Sequence, residues 1–119
     1  MNNIDMRALD QLQELIGGDK ETLHELIATF LEEGTDIVAD MQTALPDSDV
    51  DLLRRSAHSL KSSAQDFGAV KLSSLCAALE SRCRTEWPDE AAEQVSMVAE
   101  SFESARDSLS SYLSNNSSE

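Results

Sequence analysis

Apolar residues recur every three or four positions along almost the whole chain, the spacing that lays one face of an α-helix against a core. In "IDMRALDQLQELIGG" the positions are Ile4, Leu9, Leu12, Leu15 and Ile16, and Gly17-Gly18 supply a helix C-terminal signal. Asp19 can cap a second run on Leu23, Leu26, Ile27, Phe30, Ile37, Val38, Met41 and Leu45, which predicts one long helix over 19–45, ended by Pro46. A third helix is expected to open on a capping box from Ser48 to Asp51 and to stop near Gly68. The fourth, from Ala69 to about Arg84, carries Leu72, Leu75, Cys76, Leu79 and Cys83 on one side. "TEWPDE" interrupts the pattern, Pro88 suits a first helical turn, and a last helix to about Leu113 rests on Val95, Val98, Phe102, Ala105, Leu109 and Tyr112.

No segment alternates with the two-residue period of a strand, and the connections are short. The expectation is an all-α fold: an antiparallel four-helix bundle with a short additional N-terminal helix as a lid or brace. A chain of 119 residues is enough for one such domain, assigned to 1–114, with 115–119 as a flexible C-terminal tail.

Charge narrows the partners. The formal net charge of −14 argues against nucleic acid or an anionic membrane as the general partner and in favour of protein. The charge is uneven: residues 1–50 carry a net −10 and residues 85–119 a net −7, whereas residues 51–84 carry three acids and six bases, a net +3. No apolar run is long enough to span a bilayer, and the N-terminus lacks the basic and apolar regions of a signal peptide, so the expected location is cytoplasmic. Cys76 and Cys83 form no CxxC motif and read as small buried hydrophobes.

The net-positive stretch holds His58. On a helical projection Leu53, Ala57, Leu60, Ala64 and Phe67 form one apolar stripe centred opposite His58, which turns the imidazole to solvent. Arg54 and Ser62 fall within about 40° of it, Lys61 within about 60° and Gln65 within about 20°. A neutral imidazole is a competent nucleophile, and neighbouring cations keep it neutral while drawing in an anionic group. Phosphoryl acceptance fits best, with Lys61 neutralising charge on the transferred group and Ser62 and Ser63 leaving room for a partner's backbone. A lone exposed histidine is also common as an incidental surface residue.

"HSLKSSAQDFGAVKLSSLCAALE", residues 58–80, resembles the signature of histidine-containing phosphotransfer domains. His58, Leu60, Lys61, Ser63, Phe67, Gly68, Ala69, Leu72, Leu75, Cys76, Leu79 and Glu80 match that pattern, with Leu60, Phe67 and Gly68 as structural positions. Ser62 departs from it, standing where the family usually has Gly. The resemblance implies that His58 accepts a phosphoryl group from the aspartyl phosphate of one receiver domain and passes it to another, in a multistep His-Asp phosphorelay. It also implies partners among the receiver domains of hybrid histidine kinases and response regulators, with Mg²⁺ on the receiver and no cofactor bound by this chain. Catalytic roles then fall to His58, Lys61 and Gln65. The implied docking residues are Arg54, Ser62, Ser63 and Ala69, with Ile4, Met6 and Leu9 of the first helix, Leu9 being the better fitted to core packing.

Three alternatives use the same residues differently. A histidine-kinase dimerisation domain normally has an acid directly after its histidine and a nearby proline; here Ser59 follows, and no proline comes before Pro88. A di-metal bundle would use Glu21 and His24 in Glu-x-x-His spacing, but His58 has Arg55 at the matching position, so no metal site is assigned. A non-catalytic helical adaptor would bind receivers without transfer. A monomer is expected, and Met1 with the full helix set favours a free-standing protein.

Overall fold

The computed structural model describes residues 4–117. It contains five α-helices and, among the described residues, no strand: α1 Met6–Leu15, α2 Lys20–Asp47, α3 Val50–Asp66, α4 Val70–Cys83 and α5 Ala91–Ser117. The last four form a ring in which each helix packs on its two neighbours, α2 on α3, α3 on α4, α4 on α5 and α5 on α2. Short connections make the neighbours antiparallel. α1 braces one side, touching α2 and α3.

The ring closes on the predicted apolar stripes. Leu23, Ile27 and Met41 of α2, Leu53 and Leu60 of α3, Leu72 and Leu79 of α4, and Val95, Val98 and Leu109 of α5 are all fully buried. Phe30 stacks on Phe67 with ring centroids 4.7 Å apart and meets Phe102 edge-on at 6.0 Å, so one aromatic cluster joins α2, the end of α3 and α5. Gly34 lets α2 approach α5 closely, since a Cβ there would overlap the Phe102 ring. No helix among the described residues is long and apolar enough to cross a membrane.

Three of the helices end by the same device. Two consecutive residues just past each helix donate to carbonyls of its last turn: Gly17 to Glu14 and Gly18 to Gln13, Ser48 to Leu45 and Asp49 to Ala44, Gly68 to Gln65 and Ala69 to Ala64. In each the first donor is left-handed, with φ of 85°, 49° and 77° for Gly17, Ser48 and Gly68. This closure corrects two boundaries. Pro46 lies inside α2, where it removes only the one N–H that would have bonded within the final turn, and the helix ends one residue later, at Asp47. Ser48 is therefore the left-handed end of α2 and cannot cap α3; Asp49 does so, its carboxylate accepting from the Leu52 N–H at 3.1 Å.

Two further boundaries move. Pro88 is buried in a turn whose carbonyl accepts from the Ala91 N–H, and α5 starts at Ala91. At its other end α5 continues to Ser117, because no glycine or proline stops it, and so enters the segment expected as a tail; residues 118 and 119 lie outside the described residues.

Candidate functional site

Site geometry begins at the α3–α4 turn. Gly68 occupies the left-handed region, and its carbonyl accepts from the Asp5 N–H at 2.8 Å, so one residue both reverses the chain and anchors the approach to α1. The tight reversal lays α4 back along α3. Ser73 then donates to the Lys61 carbonyl at 3.2 Å, which ties the two helices together beside the site.

Along α3, Leu53, Ala57, Leu60 and Ala64 are buried, as expected, and His58 stands on the opposite face with 60% of its side chain exposed. Facing it from α4 is Glu80, only 6% exposed. The carboxylate takes His58 Nδ1 on Oε2 at 2.8 Å and Lys61 Nζ on Oε1 at 2.6 Å, while Arg84 Nη2 lies 3.7 Å from Oε2. A buried carboxylate without partners would cost several kcal/mol, roughly the scale of desolvating one ion. The Lys61 ammonium, opposed by burial and helped by His58, holds the Glu80 carboxyl below the usual carboxylate range.

This arrangement sets the tautomer. An ionised carboxylate only accepts, so the bridging proton belongs to His58 Nδ1 and the lone pair of the neutral ring belongs to Nε2. Nδ1 is the edge turned to buried Glu80; the solvent-facing edge is Nε2. The site thus presents an oriented nitrogen nucleophile with a cation beside it. Cys76 is no competitor, because burial, reinforced by the Glu80 charge, pushes its thiol up to about 12.

Other residues singled out from sequence fall into three groups. His58 and Lys61 come together, and Gln65, exposed farther along α3, lines a cleft with Lys61. Ser62 is exposed, Ser63 half-buried, and Arg54 lies 3.7 Å from Asp51. Ile4 and Ala69 require correction as docking residues, being 6% and 1% exposed. The Asp5–Gly68 bond holds the segment before α1 against the bundle with Ile4 in its core, and Ala69 lies in the tight turn. Leu9 is buried as core, whereas Met6 is 40% exposed. His24 packs edge-on against Tyr112 at 6.2 Å, and among the described residues no group of three or more His, Cys, Asp or Glu side chains could hold a metal ion.

Glu80 and Arg84 are the functional candidates that residue-by-residue reading missed. The signal was present: Glu80 shares a helical face with Leu72, Cys76 and Cys83, an acid on an apolar stripe inside the one basic stretch of the chain. Their placement also revises the surroundings of His58, where an anion, and not cations alone, meets the ring.

Residues 25–112 match the model of the Hpt domain. The chain belongs to the Hpt domain family, and it has a histidine phosphotransfer role in a phosphorelay. Its fold is similar to that of histidine-containing phosphotransfer protein B (HptB) from Pseudomonas aeruginosa, with a TM-score of 0.81 and 28% identity over 87% of this chain and 88% of that one. It is also 31% identical over 78 residues to the sensor protein TorS of Escherichia coli. That alignment takes in 66% of this chain and 8% of TorS, so the chain spans a small part of that relative.

Proposed function

We propose that His58 is the phosphoacceptor of the relay and reacts through Nε2. The lone pair of Nε2 attacks the phosphorus of a receiver's aspartyl phosphate, the N–P bond forms as the P–O bond to the aspartyl carboxyl breaks, and the freed carboxylate stays on the receiver. The ring, still protonated at Nδ1, gains positive charge, which Glu80 stabilises across the 2.8 Å bond. Attack by the aspartate of a second receiver reverses the bond changes and restores neutral His58.

Lys61 has two roles in this reading. Before transfer its ammonium holds Glu80 ionised and in place. During transfer the same charge, held on the carboxylate that also holds the imidazole, supports the phosphoryl oxygens. The receiver supplies Mg²⁺ and most remaining catalytic groups. A cytoplasmic monomer is the working state, since a single acceptor histidine on a closed bundle requires no second copy.

The observation that carries the proposal is the oriented ring: Nδ1 committed to a buried carboxylate, the opposite edge in solvent. Incubation of the purified protein with a phosphate-loaded receiver domain tests it. The expected result is an acid-labile, base-stable label that is absent in His58→Gln, with helical content unchanged. A label that survives His58→Gln, or no label from a broad panel of receivers, contradicts the proposal.

A further inference from the structure

We propose that the Ser62 hydroxyl holds the phosphoryl group once it is on His58, donating to one of its oxygens, and so biases the transfer equilibrium toward this protein. The inference rests on the phosphotransfer reading above and adds a second phosphoryl-binding residue to it. Its first support is the way the ring is turned. Lys61 lies about 60° round α3 from His58 on one side, and Ser62 about 40° round on the other. Glu80 faces the Lys61 side, since its carboxylate bonds both Lys61 and Nδ1 of His58. Nε2 belongs to the opposite edge of the imidazole, so drawing Nδ1 toward Glu80 turns Nε2 toward the Ser62 flank.

Reach is the second support. Residues four apart on a helix stand about 5–6 Å apart at Cβ, and every Cα–Cβ bond tilts toward the helix N-terminus. The hydroxymethyl of Ser62 therefore leans back toward the turn that carries His58. A phosphoryl group on Nε2 extends from the ring into that gap. Ser62 is better placed for it than the other serines of this stretch, because Ser59 falls about 100° and Ser63 about 140° round from His58. Ser63 is also half-buried.

Third, the hydroxyl is available. Ser62 is exposed, and among the described residues its hydroxyl has no partner. Thr35 and Thr43, by contrast, donate to the carbonyls of Leu31 and Ala39 four residues back, which commits their hydroxyls to the helix. A phosphoryl group on Nε2 thus meets the Lys61 ammonium on one flank and an uncommitted neutral donor on the other. A hydroxyl that donates to an anionic oxygen makes a charge-assisted bond, stronger than a neutral one. Ser62 stands where the family pattern has Gly, so the pattern itself lacks this donor.

The experiment measures the equilibrium of phosphoryl transfer between the full chain and a receiver domain, as the ratio of forward to reverse rate constants, for the unaltered protein, Ser62→Ala, Ser62→Gly and Ser62→Thr. Ser62→Ala keeps the Cβ and suits a helix interior, so it removes the hydroxyl alone. Ala and Gly should each shift the ratio about threefold to tenfold toward the receiver, the scale of one hydrogen bond, and Thr, which keeps the hydroxyl, should stay within about twofold. A ratio unchanged in Ser62→Ala, or shifted as far in Ser62→Thr, overturns the assignment. So does a Ser62→Gly protein that is faster in both directions at an unchanged ratio, since the side chain would then only crowd the partner. These results leave the phosphoacceptor intact, whereas failure of the unaltered protein to take label on His58 from any receiver overturns the phosphotransfer reading itself.

Discussion

At the residue scale, the proposed function comes down to which nitrogen of His58 is free. Glu80 makes that choice, and Lys61 makes Glu80 able to. Replacing Glu80 with Ala removes the acceptor, and ¹⁵N NMR should show His58 moving from the Nδ1–H tautomer toward Nε2–H. Phosphoryl uptake should fall by roughly ten- to a hundredfold, the scale of losing the partner that orients a functional histidine; an unchanged tautomer would show that the bond is incidental. The same ion pair gives a pH dependence of known sign. Because the carboxyl of Glu80 is held below its usual range in the folded state, its stabilising contribution is present above the ordinary carboxylate range and is lost as pH falls through the depressed value. Lys61→Ala removes the largest cause of that depression, so its acid unfolding, followed by circular dichroism, should begin at higher pH than in the unaltered protein. Onset at the same or lower pH would mean that Lys61 is not what keeps Glu80 ionised.

The element scale shows why the helices were legible and their ends less so. The apolar stripes read from periodicity face the core, because burial of one face fixes a helix's rotation; the exception is Leu15, which ends α1 with 83% of its surface in solvent. Boundaries depend instead on single residues that can serve either of two neighbours. Ser48 has the chemistry of an N-cap, yet the chain needs a left-handed residue there to close α2, so the cap falls to Asp49. Pro88 could open a helix but is used as the acceptor of a turn. Gly68 has no such freedom, and the sequence reading placed the end of α3 beside it. A Cβ at Gly68 would lie 2.5 Å from the Asp5 carbonyl oxygen, on a residue already at φ 77°. Gly68→Ala should therefore cost at least the ~1–2 kcal/mol of a left-handed alanine, and it should loosen α1 from the bundle. Urea unfolding measures the first effect and amide exchange in α1 the second; full stability with protected α1 amides would contradict this account of the turn.

On the scale of the whole molecule, the sequence revealed the bundle and the exposure of His58 but not the carboxylate that orients it. His58 is visible in one helix alone, since the opposite stripe decides its exposure. Glu80 acts across a helix pair, and nothing in the sequence of α3 states that residue 80 returns to residue 58; that follows only from the tight Gly68 turn and the seam it creates. The docking expectation failed in part for a related reason. Ile4 is apolar and near the chain start, which suits a surface patch, but a backbone bond from Asp5 to Gly68 tucks the segment into the core. Charge carried further, because the +3 of residues 51–84 is a property of composition, and the fold brings Lys61 and Arg84 of that stretch to the carboxylate that holds His58. The most direct test of the account is to identify the phosphorylated nitrogen. After loading the protein from a receiver, ³¹P and ¹⁵N NMR should place the phosphoryl group on Nε2 of His58, with Nδ1 retaining its proton toward Glu80; phosphorus on Nδ1, or on any other side chain, would contradict it.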